Sequence, residues 1–104
     1  MISYYFAVSP TSLSIENVTP EHRLLGTEGH DLTLSCKAVG GEPAPNVVVI
    51  IDGQSLANQT QIVQHTLTTI KRFYDRKTVT CQASHADYSQ NPITDSAVIY
   101  LHCK

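Results

Sequence analysis

Two short runs, "DLTLSCKA" at residues 31–38 and "TVTCQAS" at residues 78–84, set the strongest limit on what this chain can fold into. Each alternates apolar and polar residues, and successive side chains of a strand point to opposite faces of its sheet. The inward set is then Leu32, Leu34, Cys36 and Ala38 in the first run and Val79, Cys81 and Ala83 in the second. Thr33, Ser35, Lys37, Thr78, Thr80, Gln82 and Ser84 face water. Both strands deliver a cysteine to the core, at about the separation that a bridge between two packed sheets needs. Cys103 is left over in any single-bridge scheme.

The rest of the chain reads in the same way. β-Branched and aromatic residues fall in short stretches bounded by Gly, Pro, Asn and Asp, without helical periodicity. The pattern predicts about seven strands, near Ser12–Ile15, Asp31–Ala38, Asn46–Asp52, Gln61–His65, Leu67–Arg72, Thr78–Ser84 and Ser96–His102. The expected fold class is all-β, the spacing being that of a sandwich of two packed sheets. With 104 residues the chain has room for one core. Residues 9–104 are read as that domain and residues 1–8, "MISYYFAV", as an entry segment or a linker from a preceding domain. They lack the basic lead and small-residue cleavage site of a signal peptide.

One strand breaks the alternation. "NVVVIIDG" carries five consecutive apolar β-branched residues before a turn dipeptide. If Val47, Val49 and Ile51 fill the core, Val48 and Ile50 project from the outer face. In the last strand Ala97, Ile99 and Leu101 form the inward set, and Val98, Tyr100 and His102 the outward one, because histidine prefers the wet side.

Several function classes are disfavoured. Apolar residues make up 41% and charged residues 15%, too apolar a balance for a disordered chain, and no run approaches the length of a membrane helix. A formal charge of −2 offers no electrostatic footprint for nucleic acid or anionic lipid. No G-x-S-x-G elbow, H-E-x-x-H, Walker A loop or C-x-x-C occurs, so the chain is not expected to be an enzyme or to carry a cofactor. His22, His30, His65, His85 and His102 are scattered rather than paired at ligand spacing, and no metal site is expected. Two N-x-T sequons, at Asn17 and Asn58, fall in predicted loops or strand ends and favour a secreted or cell-surface origin.

The order "EGHDLTLSCKAVGGEPAPNVVVIIDGQSL", a hairpin, "YDRKTVTCQASH" and a last strand "TDSAVIYLHC" resembles an immunoglobulin-like domain of the I-set or C2 kind. The likeness covers nearly all of the chain from Val8 on. It is closest in kind to domains of nectin-like, nephrin-like or sidestep-like adhesion receptors, whose penultimate strand reads V-T-C-x-A-x, and similar domains occur in invertebrate immune lectins. The resemblance implies an immunoglobulin-like sandwich of two antiparallel sheets with Greek-key connections and a Cys36–Cys81 disulfide between strands B and F. It places Gly29 at the opening of strand B, Gly41, Pro43 and Pro45 in the B–C loop, and Asp52-Gly53 in the turn after strand C. Two family landmarks are missing: the core tryptophan is Val49 here, and the tyrosine two residues before the second cysteine is Val79. Asp75 sits where the family often has an aspartate, with Arg72 or another nearby base as its expected partner.

The same resemblance implies a non-enzymatic recognition or adhesion module of an extracellular, multidomain protein. Its expected partner is a protein: the same molecule, or another immunoglobulin-superfamily receptor. The expected contact surface is the outer face of strands C, F and G, with Val48, Ile50, Gln82, Thr80, Val98 and Tyr100. Two alternatives stand beside it: a structural spacer, and ligand capture by the F–G loop "SHADYSQNPITD" through Tyr88 and His85, a composition like that of adaptable paratopes. For Cys103 three readings compete: a bond to another segment of a parent protein, an intermolecular bridge, and a free thiol.

Overall fold

The computed structural model describes residues 7–88 and 91–103. Among them are eight strands: β1 (Ser12–Ile15), β2 (Arg23–Thr27), β3 (Leu32–Val39), β4 (Asn46–Ile51), β5 (Gln54–Thr60), β6 (Ile62–Leu67), β7 (Thr78–Ser84) and β8 (Ile93–His102). A single 3-10 turn, Arg72–Tyr74, precedes β7. The strands form a three-stranded sheet, β1-β3-β6, and a five-stranded sheet, β2-β8-β7-β4-β5. All pairs are antiparallel except β2 with β8.

Local chemistry explains the joints. Asp52 and Gly53 have φ of 52° and 77°, the doubly left-handed turn whose twist suits a two-residue hairpin between β4 and β5. Between β1 and β2 the chain crosses from one sheet to the other through a turn containing Asn17 at φ 62°. Asp95, on β8, accepts a hydrogen bond through Oδ2 from the Ile15 backbone N–H at 2.9 Å and so ties the two sheets together at that edge.

The core follows the alternation. Leu34, Cys36 and Ala38 from β3 meet Val79, Cys81 and Ala83 from β7, and Cys36 and Cys81 form the disulfide with Cα atoms 6.5 Å apart. Val47, Val49 and Ile51 lie inward, opposite Ala83, Cys81 and Val79 respectively, and all six are buried. Ala97 and Ile99 close the same layer from β8. Each buried Val, Leu or Ile contributes about 1.5–3 kcal/mol relative to exposure. Val49, where the resemblance placed the missing tryptophan, sits in the middle of that layer. Ser35 points outward as parity requires, yet is only 8% exposed; it is a small side chain on the central strand, flanked by β1 and β6.

Three expectations need correction. The strand count is eight, because "RLLGT" and "QSLANQT" form β2 and β5. The first is added by parallel pairing to a distant strand, and the second is a polar edge strand carried by its hairpin, so neither shows strong alternation of its own. The two strands expected over residues 61–72 are one, β6, which ends at Leu67 before a turn that places Thr69 at φ 47°. β8 begins at Ile93 rather than Ser96. The base beside Asp75 is the second of the expected alternatives: Arg76 Nε lies 3.8 Å from Asp75 Oδ1, while Arg72 pairs with Glu28.

Candidate interaction surface

The outer face of the five-stranded sheet is built in cross-strand rows, because directly opposed residues share a face. Gln82, on the middle strand β7, lies between Val48 on β4 and Thr94 on β8. Thr80 lies between Ile50 and Ser96, and its Oγ1 is 3.2 Å from the Ser96 Oγ. Thr78 faces Val98, which in turn faces Arg23 on β2; Tyr100 faces Leu25. Val48, Ile50, Thr80, Gln82, Val98 and Tyr100 are all half-buried, and Leu25 is 63% exposed.

The structure therefore brings the expected residues onto one face, in two apolar islands. Val48 and Ile50 form one on β4. Val98, Tyr100 and Leu25 form the other on β8 and β2. The Thr80 and Gln82 side chains of β7 run between them, so the islands are two strand spacings apart, roughly 10 Å.

Tyr100 is the organising side chain of the second island. The Arg23 and Arg76 guanidinium carbons lie 4.2 and 4.1 Å from its ring centroid. They come from elements on either side of β8: Arg23 from β2, and Arg76 from the turn before β7. Both backbones are pinned, Arg76 N–H donating to the Ile99 carbonyl at 2.7 Å and Arg23 N–H to the Thr19 hydroxyl at 3.2 Å. Stacking uses the flat face of a guanidinium and leaves its N–H edge available to donate. Arg76 Nε is 3.8 Å from Asp75 Oδ1, a carboxylate oxygen that accepts the Leu101 N–H at 2.8 Å. Arg23, Leu25 and Arg76 were not singled out in the sequence, since no strand was expected over residues 23–27.

His85 and Tyr88 lie elsewhere, beyond the end of β7, and belong to neither island. The Tyr88 hydroxyl donates to the Pro43 carbonyl, and its ring sits 5.5 Å from that of His85. The expected F–G loop surface is thus joined to the B–C loop, which is itself paired with the entry segment by two bonds of 2.7 Å between Val8 and Glu42. Ser89 and Gln90, in the middle of that loop, lie outside the described residues.

The sequons differ in setting. Asn17 is exposed in the turn between β1 and β2, whereas Asn58 is exposed in the middle of β5, a strand and not a loop. At the other end of the fold, Arg72 makes a two-pronged contact with Glu28, Nε to Oε2 at 3.0 Å and Nη2 to Oε1 at 3.2 Å. The hydrogen bond and the negative charge of Glu28 push the Arg72 guanidinium above its ordinary pKa. Cys103 is exposed and free. No cluster of three or more His, Cys, Asp or Glu is placed to hold a metal among the described residues. Among the described residues no helix is long and apolar enough to cross a membrane.

Two sheets packed around a buried bridge between β3 and β7, with β4 and β8 flanking β7, define an immunoglobulin-like domain. A model of the CD80-like C2-set immunoglobulin domain matches residues 16–92, and the chain belongs to that family. The crystal structure of Rst D1-D2 is similar to it, with a TM-score of 0.73 and 18% identity over 92% of this chain. The likeness spans 51% of that chain, about half its length. A comparison with the curated proteins finds no match. The family is generally non-catalytic, and its domains typically bind proteins.

Proposed function

We propose that this domain is an extracellular recognition module that binds a protein partner through the outer face of its five-stranded sheet, the partner being a second copy or another immunoglobulin-like domain. The observation that carries the reading is the unspent apolar and aromatic surface there. Val48, Ile50, Val98 and Tyr100 all remain half-exposed on one face after the core is complete, with Leu25 exposed beside them. Tyrosine and arginine are the residue types that most often anchor protein interfaces, and here Tyr100 is held in place by Arg23 and Arg76 before any partner arrives. The Cys36–Cys81 bridge supports an oxidising compartment. The two sequons support the same location.

Sedimentation of the oxidised domain, made without N-linked sugar, across concentration tests the reading. The wild-type chain is expected to self-associate or to bind a related domain. Val48→Glu with Ile50→Lys, or Tyr100→Ala alone, is expected to weaken that association with little change in Tm. A chain that stays monomeric, in a parent protein whose binding ignores these substitutions, is a spacer and sinks the proposal.

A further inference from the structure

β5 is the free edge of the five-stranded sheet, and its register settles where the second sequon points. Asn58 lies directly opposite Val48, and Thr60 directly opposite Asn46, in the β4–β5 ladder. Opposed residues share a face. The amide acceptor of the sequon and its threonine hydroxyl are therefore both on the outer face, and both residues are exposed. Cβ atoms of such opposed pairs are about 4.5–5.5 Å apart, so a group attached to Asn58 begins within one side-chain width of Val48. Beyond Val49 the ladder shifts by a bulge, and Ile50 faces the small residue Ser55. Asn17, by contrast, is in the turn that leads into β2, on the opposite edge of the sheet.

We propose that Asn58 carries an N-linked glycan that lies over the Val48–Ile50 half of the outer face and gates it, leaving the Tyr100 half open. The modification joins the Asn58 side-chain nitrogen to the anomeric carbon of a lipid-diphosphate-linked oligosaccharide; the lipid diphosphate leaves and the amide gives up one proton. The bulky, water-loving product is anchored beside two half-buried apolar side chains, and the C–H face of its first sugar covers them. This accounts for a strand that is apolar on both faces: Val47, Val49 and Ile51 are covered by the core, and Val48 and Ile50 by sugar. The Arg23–Tyr100–Arg76 stack, on the far side of β7, stays clear. The gating rests on the binding reading above; the covering does not.

The test uses the chain secreted from a glycosylating host, in a Cys103→Ser background, with a reporter thiol introduced by Val48→Cys and, in a second variant, by Ile50→Cys. Peptide mass reports occupancy of Asn58, and the rate of maleimide labelling reports cover. Asn58 is expected to be occupied, and labelling to be several-fold slower than in the same chain carrying Thr60→Ala. Enzymatic removal of the sugar is expected to restore the fast rate, and Asn17→Gln to leave it unchanged. An unmodified Asn58, or equal labelling rates with and without the sugar, overturns the proposal. Sedimentation of the Cys103→Ser chain with and without Thr60→Ala reads the gating separately, stronger association without the sugar being expected. Slow labelling combined with no association in either form overturns the gating together with the binding reading, while the covering is retained.

Discussion

Val49 lies directly across from Cys81 in the β4–β7 ladder, and neither side chain reaches solvent. The position that the family gives to tryptophan is thus still in contact range of the bridge, but the volume is filled by several aliphatic side chains. Val47, Leu34, Val63 and Ile99 are all fully buried in the same core cluster. Val49→Trp is therefore expected to overpack the site and to lower stability by about 1–3 kcal/mol. Thermal unfolding of the oxidised protein checks it. A Tm at or above that of the wild type would show that an indole-sized void had been left open.

The same contrast explains what the sequence disclosed. Leu34, Cys36, Cys81 and Ile99 sit on strands whose alternation is intrinsic, and each is buried where its parity puts it. β2 and β5 were invisible because their order comes from partners: Leu24 is buried only through the parallel pairing of β2 with β8, and β5 is held by a hairpin along a polar edge. For the surface, parity gave the outward side chains of each strand, and the C–F–G order implied by the family resemblance put Val48, Ile50, Val98 and Tyr100 on one face with Thr80 and Gln82 between them. What was missing was β2 and the turn before β7, which bring Arg23 and Arg76 to Tyr100 from opposite sides of β8. The neighbours of Asn58 were hidden for the same reason, since a residue read as loop has no cross-strand partner to predict.

Gly41 supports the contact between the B–C and F–G loops by having no side chain. Its φ is 101°, and a Cβ there would lie 2.8 Å from the Tyr88 hydroxyl and 2.9 Å from Pro45 Cδ. Gly53, at φ 77°, has nothing within 4 Å of the same point. Gly41→Ala is expected to cost about 1–3 kcal/mol in backbone strain and to displace the Tyr88 hydroxyl from the Pro43 carbonyl. Gly53→Ala carries the strain without the collision and is expected to cost less. Denaturant unfolding gives the two losses, and amide exchange at Val8 and Glu42 reports whether the loop end opens. Equal losses would mean that the Tyr88 contact adds nothing.

Asp75 is a backbone cap and not a partner for Arg72. Its Oδ1 accepts the Leu101 N–H at 2.8 Å in a half-buried setting, holding the turn before β7 against the last strand. Removing it strands a donor that water reaches poorly, so Asp75→Ala is expected to cost about 1–3 kcal/mol. Asp75→Asn keeps an acceptor oxygen and is expected to retain part of that stability. Arg72 holds Glu28 on the surface, with its own side chain 67% exposed, and Arg72→Ala is expected to leave Tm close to the wild-type value. A double-mutant cycle between Arg72 and Asp75 tests for a side-chain pair: the contact they share is the backbone bond from Asp75 N–H to the Arg72 carbonyl at 3.0 Å, which both substitutions keep. A coupling near zero is the expected result. A large coupling would make Arg72, rather than Arg76, the base that Asp75 pairs with and remove the basis for treating Asp75 as the clasp on β8.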